Sequence, residues 1–470
     1  MDHIQKLNIL RTIASDISHH GGTTYFVGGY VRDQLLGKEN KDIDVEIHGI
    51  SVDQTKAVLE SYGHVDSIGA SFGVLMIKGL DIDFAFPRTE SKTGNKHTDF
   101  AVHVDPFLDL TEAARRRDFT MNSIMQNVLT GEYVDPFNGR QDINNKLIKI
   151  VDDTTFIEDA LRPLRACQFS SRLGFEIDHH LLNLSKGLSY SHLSRERIMT
   201  ELDKALLSDK PSVALEYMYD MGILDELIPE LSALKGCPQN PLFHPEGDVW
   251  NHTMLVLDEG AKVKDQSKHP RYFMYACLLH DIGKPDTTKE DAFGRIRSVD
   301  HDKVGADISK TVLKRLTNER ELTRYVSTLT EHHMRAHKLL DMKDYKVKKM
   351  MLDVDMHELL LLNTCDISGR DMNDATNKRL SDIEIKRQRI SDFSVGEFGE
   401  INPFFKGKDL IERGFKPGKD LGEALNHVFE LQLQGHDYTS LSAIIDKKLN
   451  KINTVKLDFD GLDSEPTQSK

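Results

Sequence analysis

Two groups of residues carry the chemistry of this sequence, one built from carboxylates and one from imidazoles. In YFVGGYVRDQLLGKENKDIDVEIHG, Asp42 and Asp44 stand two apart in a strand pattern. Alternate strand residues face one side, so both carboxylates project together. They repel unless a cation lies between them, and an all-oxygen ligand set suits Mg²⁺. Two such ions could activate a hydroxyl and stabilise a leaving pyrophosphate. Asp83, in LDIDFAF, is a carboxylate on another strand that could complete the site; a solvent-facing strand aspartate is the equal alternative. Upstream, Gly28 and Gly29 follow an apolar strand and open a helical segment that ends at Gly37, a C′ glycine. Bare backbone N–H groups at a helix N-terminus make a seat for triphosphate oxygens. Arg32 could hold a phosphate there, as could Arg88, for which a plain surface role is equally open.

The imidazoles lie further on. His252 falls in DVWNHTMLVLD, and His280-Asp281 ends the apolar helix YFMYACLLHDIGK. His301 follows in SVDHDKVGA, His332-His333 in TLTEHHMRAH, and Asp366 in LLLLNTCDISGRD. Neutral imidazoles mixed with carboxylates are good ligands for transition metals. His252, His280, Asp281, His301, His333 and Asp366 are the candidate ligands, with His332 the alternative to His333. Ni²⁺, Co²⁺ or Mn²⁺ suits such a set, and Lys284 could meet a substrate phosphate.

The elements that position these groups follow from pattern. YFVGG, DIDVEIHG, FGVLMIKG, LDIDFAF and GEYVDPF read as strands or strand edges. The N-terminus reads as an amphipathic helix with Ile4, Leu7, Leu10, Ile13 and Ile17 on its apolar stripe. From 155 to 235 the pattern turns helical, with EDALRPLRACQFSSRLGF, RERIMTELDKALLS and PSVALEYMYDMGILDELIPEL as its runs. KGCPQNPLFHPEG is a Pro/Gly-rich boundary, and helices are expected from there on. The chain has 470 residues, too many for one core. Its net charge of −14 argues against broad capture of nucleic acid but not against a local basic surface. No stretch is long and apolar enough to span a membrane, and no signal-peptide pattern opens the chain. The four cysteines show no paired metal spacing, which points to a reducing cytoplasm.

GGYVRDQLLG followed by DID resembles the head domain of class II tRNA nucleotidyltransferases and bacterial poly(A) polymerases, within the polymerase-β superfamily. The likeness continues in order. AARRRDFTMNSI (113–124) looks like the family's Arg-Arg-Asp motif for sugar and phosphate, and EDALRPLRA (158–166) like its nucleotide-template motif. LSRERIMTEL (193–202) is similar to its later helix, and residues 87–106 occupy the place of its flexible loop. FGVLMIKG stands where the poly(A) polymerase branch carries its Phe-x-Leu-x-His-Val signature, as in the CCA-adding branch. The histidine set resembles the HD-domain phosphohydrolases, which implies His252, His280, Asp281 and Asp366 as ligands of a first metal and His301 and His333 as candidates for a second; CCA-adding enzymes of one bacterial group carry an HD domain in this place.

The resemblance implies an α+β fold: a polymerase-β-like head with a mixed sheet, followed by an all-helical neck, HD and C-terminal domains. Expected bounds are 1–145 for the head, 146–236 for the neck, 237–370 for the HD domain, 371–460 for a helical C-terminal region and 461–470 for a disordered tail. It implies Asp42, Asp44 and Asp83 as catalytic, with Mg²⁺ on Asp42 and Asp44. It implies nucleotide contacts from Gly28, Gly29, Arg32, Arg116, Arg117, Asp118, Asn122, Glu158, Asp159, Arg162 and Arg165. On one helix, Asp159 and Arg162 would share a face, with Glu158 orienting Arg162. Cytosine and adenine both offer an amino donor beside a ring-nitrogen acceptor, which an Asp/Arg pair satisfies and uracil or guanine does not. Three consecutive arginines cannot all face one way, so at least one of 115–117 is expected in solvent. The implied activity is template-independent CCA addition to tRNA from CTP and ATP, with a metal-dependent 2′,3′-cyclic phosphodiesterase or phosphatase attached. The alternatives are a poly(A) polymerase, an A-only or CC-only enzyme, or a non-catalytic RNA-binding protein. The oligomeric state is left open.

Overall fold

The computed structural model describes residues 1–68, 73–92, 100–370, 374–393 and 403–460. The expected disordered tail, and residues 93–99 of the loop after Arg88, lie outside the described residues. The chain divides into two compact units. One comprises 1–237, 248–262 and 311–319; the other comprises 238–247, 263–310 and 320–470.

The first unit opens with a helix, His3–His19, started by a capping box between Asp2 and Gln5. Leu10, Ile13, Ala14 and Ile17 are its buried face. Ile4 is 70% exposed, so the apolar stripe begins one turn later than its spacing predicts. The strands β1 (Thr23–Phe26), β2 (Ile43–His48), β3 (Val65–Ile68), β4 (Val74–Ile77), β5 (Ile82–Ala85), β8 (Met125–Asn127) and β9 (Tyr133–Val134) form one sheet. Its order is β3-β4-β5-β2-β1-β8-β9. β6 (Arg88–Lys92) and β7 (Phe100–Val104) form a separate antiparallel ribbon. β2 pairs antiparallel with β1 and parallel with β5, which sets Asp44 directly beside Asp83. Ile43, Val45 and Ile47 of β2 are at most 2% exposed. Burying each of them stabilises the fold by roughly 1.5–3 kcal/mol. That fixes which face of β2 is core, and Asp44, Glu46 and His48 take the other. The unit continues in helices, including Asp153–Glu158, Leu161–Leu173, Arg195–Leu206 and Pro211–Asp220.

The second unit is mainly helical: Pro270–Leu279, Arg320–His337, Asp344–Asp353, Met356–Ser368 and Asp374–Phe393 lead to a small C-terminal bundle. Phe405, Leu410, Phe415, Val428, Leu441 and Ile445 make that bundle's core. The expected helices are joined by one addition, a two-stranded hairpin of Thr288–Glu290 and Ile296–Ser298. Gly294, at φ +73°, gives its turn the left-handed residue that such turns need. No helix among the described residues is long and apolar enough to cross a membrane.

Candidate active sites

In the first unit a cavity of about 760 Å³ is lined by residues of β2, of the turn after β1 and of the following helices. Gly28 begins the helix Gly28–Leu35 at φ +65°, a conformation suited to glycine. A Cβ there would stand 3.4 Å from an Arg117 guanidinium nitrogen and 4.0 Å from an Asp44 oxygen, so the backbone lies against the site. No side chain caps this N-terminus, its Gly28 and Gly29 line the cavity, and Gly37 ends the segment in the left-handed region.

Asp42 precedes β2, its N–H donating to Asn40 Oδ1 at 2.9 Å. Asp42 and Asp44 line the cavity; Asp83 is exposed on the neighbouring strand. Burial, then repulsion from Asp83, holds the Asp44 carboxyl above the ordinary range, against the pull of Arg117. A divalent cation would relieve that repulsion, and the oxygen-only donor set fits a hard ion.

The cationic side of the cavity is anchored from below. Glu46, 1% exposed, accepts from Arg116 Nη2 at 3.2 Å and Arg117 Nη2 at 3.3 Å, and lies 3.1 Å from His48 Nε2. Burial alone would raise its pKa, but the His48 hydrogen bond and the two guanidiniums outweigh that and bring it down to about 2. Arg115 turns away to Glu112 and Phe137, so it is the arginine of the three that leaves the cavity. Arg165 Nε donates to Asp118 at 2.8 Å, Asn122 Nδ2 donates to Asp118 at 2.9 Å, and Arg32 Nη1 donates to Asn122 Oδ1 at 2.9 Å. This chain of bonds links four of the expected nucleotide contacts, and all four side chains line the cavity. Arg88 lines it too.

One premise is corrected. Asp159 and Arg162 are not on one continuous helix: the first helix stops at Glu158, and Asp159 is extended (φ −119°, ψ 98°) before Leu161–Leu173 begins. The break has a local cause, because the Asp159 carboxylate accepts from the N–H of Leu161 at 3.1 Å, an Asx-type turn that competes with helix. Asp159 and Arg162 nonetheless line the same cavity, whereas Glu158 does not. Arg162 is held by the Arg116 carbonyl at 2.8 Å and by Thr155 at 3.4 Å. Asp159 accepts from Arg197 at 2.8 Å. Arg197 and Glu46 were not singled out in the sequence. Arg197 lies inside the quoted run LSRERIMTEL, and Glu46 continues the alternation of Asp42 and Asp44, so both had a signal.

The second unit holds a cavity of about 780 Å³. Asp281, His301 and His333 offer ligand atoms that all lie within 4.8 Å of one another. His301 Nε2 and His333 Nε2 are 3.3 and 3.6 Å from Asp281 Oδ1, and His280 Nε2 is 3.2 Å from Asp281 Oδ2. The other ring nitrogen of each histidine faces a backbone carbonyl: His280 on Cys277 (2.8 Å), His301 on Ser298 (2.7 Å), His333 on Thr330 (2.6 Å). A carbonyl can only accept, so each Nδ1 carries the proton and each Nε2 presents its lone pair. Three pre-set lone pairs around one carboxylate fit a borderline divalent ion.

Lys284 donates to Asp281 at 2.6 Å and to Gln239 at 2.6 Å. Burial would raise the Asp281 pKa, but Lys284 outweighs that and holds it well below the carboxylate range. Lys284 is thus a partner of the candidate ligand group as well as a cavity residue. Asp366 lines the cavity outside that close group, meeting His337 Nε2 at 2.6 Å and Arg370 Nη2 at 2.8 Å. His337 was not assigned from sequence, although it follows His333 by four on the same helix and so shares its face. His332 is buried but does not line the cavity. His252 is buried on the helix Val249–Val263 of the first unit.

The chain matches the family models for the poly A polymerase head domain over residues 24–149, for the probable RNA and SrmB-binding site of polymerase A over 174–235, and for the HD domain over 249–359. It is 32% identical over 413 residues to the multifunctional CCA protein of Pseudomonas fluorescens Pf-5, covering 85% of this chain and 95% of the relative. It is 35% identical over 326 residues to that of Psychromonas ingrahamii, covering 68% and 76%. Among solved structures it is similar to the Bacillus stearothermophilus CCA-adding enzyme in complex with CTP (TM-score 0.64, 21% identity, 96% of this chain and 99% of that one). It is also similar to the Thermotoga maritima CCA-adding enzyme complexed with tRNA (TM-score 0.59, 19% identity, 96% and 99%). At these identities the two structures speak for the fold, and the α+β architecture agrees with them.

Proposed function

Because this chain belongs to the multifunctional CCA protein family, we propose that it adds CCA to tRNA 3′ ends at the carboxylate cavity and hydrolyses phosphate esters at RNA ends at the histidine cavity. The observation that carries the first activity is one cavity that joins Asp42 and Asp44 to Arg116, Arg117, Asp159 and Arg162. Asp42, Asp44 and Asp83 would hold Mg²⁺, which supplies positive charge to the attacking 3′ hydroxyl and the leaving pyrophosphate. The free N–H groups of Gly28 and Gly29, with Arg32, Arg116 and Arg117, bind triphosphate oxygens. Asp118 and Asn122 meet the ribose, and Arg165 positions Asp118.

Base choice falls to Asp159 and Arg162. Arg197 and the Arg116 carbonyl fix their directions. A carboxylate has about four acceptor sites and a guanidinium five donors, so each retains capacity for a base edge. Asp159 accepts from the amino group of cytosine or adenine while Arg162 donates to the ring nitrogen. Uracil and guanine present the reverse and leave a charged group unsatisfied.

At the second site, His280, Asp281, His301 and His333 would hold a divalent transition metal, with His252 and Asp366 expected to complete the set by their place in the motif. Mn²⁺, Co²⁺ or Ni²⁺ there supplies a metal-activated water at neutral pH. The four buried free cysteines favour a reducing compartment, and a cytoplasmic enzyme is the reading we adopt.

The deciding experiment incubates purified protein with tRNA lacking its terminal CCA and each nucleotide separately. CTP and ATP enter, UTP and GTP do not, and addition stops after the terminal A. Long A tails on unrelated RNA would instead make the protein a poly(A) polymerase. Incorporation of CTP alone or ATP alone would make it a partial enzyme.

A further inference from the structure

The histidine cavity holds positive charge that its ligand group does not use. Arg370 is committed to Asp366, and Lys284 to Asp281. Arg379 and Lys386, on the helix Asp374–Phe393, line the same cavity, and among the described residues neither makes an ion pair. Lys386 is only 4% exposed, and its ammonium ends on a neutral acceptor, Asn363 Oδ1, at 3.0 Å. Lys386 is near enough to Arg379, and Arg379 to Arg370, for like charges to repel; Asp382 and Asp366 attract Lys386, and Asp366 attracts Arg379, without forming an ion pair with either among the described residues. With Lys386 buried and Asp366 already held by Arg370 and His337, an anion in the cavity would meet charge that these carboxylates leave incompletely paired. The chain's net charge of −14 makes this local excess more telling.

A second observation says what the anion is attached to. The Arg379 guanidinium stands 5.9 Å from the ring centre of Phe243, which is 52% exposed at the cavity. An exposed ring beside an arginine is a platform on which a nucleobase stacks while the guanidinium meets its phosphate.

We propose that Arg379 and Lys386, with Phe243 beside them, form a second anion subsite that binds the phosphate on the 5′ side of the terminal nucleotide, so that this cavity takes the end of an RNA strand rather than a free mononucleotide. The proposal rests on the reading of the cavity as a phosphohydrolase and adds the length of substrate that it selects. The Asp281 group receives the terminal phosphate ester. The subsite receives the next phosphate along the strand, and Phe243 receives the adjoining base.

The test uses the full-length protein with Mn²⁺ and three substrates: cytidine 2′,3′-cyclic phosphate, its 5′-phosphorylated form, and the dinucleotide ApC ending in the same cyclic phosphate. Water opens the cyclic ester to a monoester in each. The second phosphate should raise kcat/KM at least about tenfold, the scale of one charge-assisted hydrogen bond. The dinucleotide should be the best of the three. In Arg379→Ala the ratio of dinucleotide to bare cyclic nucleotide should fall to about one. Lys386→Gln should do the same, with thermal melting to show that the buried site still folds. Equal rates for all three substrates in wild type, or an unchanged ratio in both variants, overturns the subsite. A preference for the 5′-phosphorylated mononucleotide over the dinucleotide overturns its assignment to an RNA strand. If wild type hydrolyses none of them, binding of a 3′-phosphorylated deoxydinucleotide decides. Binding about tenfold weaker in Arg379→Ala keeps the subsite while the hydrolase reading falls, and equal binding removes both.

Discussion

In the first unit the expected metal-facing atoms are carboxylate oxygens on adjacent strands, whereas in the second they are imidazole nitrogens at helix ends. The two constructions hold their groups differently. Strand pairing places Asp44 beside Asp83 with like charge facing like, and the Asp44 carboxyl is left above its ordinary range. The histidine group is already directed, because three backbone carbonyls set the tautomer of three rings. A hard ion therefore matches the first and a borderline ion the second.

The largest effect expected from this contrast is at the carboxylates. Asp42→Ala or Asp44→Ala should lower nucleotide addition by at least ~10³-fold, the scale of losing a main electrostatic stabiliser. Hydrolysis at the histidine cavity should persist. Near-normal addition by either variant, in a steady-state assay with CTP, would refute the assignment. The mirror-image experiment is His280→Ala/Asp281→Ala, which should remove cyclic-phosphate hydrolysis and spare CCA addition. If addition is lost with the fold intact by circular dichroism, the two sites are coupled and the contrast is too simple.

Metal replacement sharpens the comparison without mutation. After chelation, Mg²⁺ should restore addition, while Mn²⁺, Co²⁺ or Ni²⁺ should be needed to restore hydrolysis. A single ion serving both equally well would show that ligand hardness does not separate them.

Smaller effects test the parts that support the chemistry. Asp159→Ala should relax base choice more than it slows addition, by about 1.5–3 kcal/mol of lost discrimination, the cost of an unmet partner to a charged group. Full rejection of UTP and GTP by this variant would mean that another group reads the base. Glu46→Gln should raise KM for both nucleotides by roughly tenfold, with a smaller change in kcat, because it loosens Arg116 and Arg117 rather than the metal ligands. Loss of kcat alone would place Glu46 in a different role.

Much of this arrangement was legible because local pattern and chemistry agreed. The Gly28-Gly29 turn, the β2 alternation and the ending of an apolar helix at His280-Asp281 each carry their own spacing. What spacing could not reveal were the partners that side chains find across the fold. Asp159 looks helical by its neighbours, yet its own carboxylate accepts from the Leu161 N–H in a local turn that breaks the run. Arg197 meets Asp159 across 38 residues, and Arg116 meets Glu46 across 70. Asp366 was readable as a candidate ligand only by motif, while its bonds to His337 and Arg370 needed the folded helices. Ile4 shows the reverse limit, since a periodic apolar residue still needs a surface to pack on, and its side chain stays exposed.

The placement of Asp44, Glu46 and His48 on one side of β2, with Ile43, Val45 and Ile47 on the other, has a consequence for how this region tolerates change in length. A strand has a period of two, so a slip of one residue against β1 and β5 exchanges its faces. The carboxylates would then enter the apolar layer, and the isoleucines would face the cavity. One inserted or deleted residue in this strand would cost the proposed metal ligand Asp44, the anchor of both arginines and the core packing in a single step. Length variation in this part of the chain must therefore be absorbed in the turn between Gly37 and Lys41, where the backbone is already irregular.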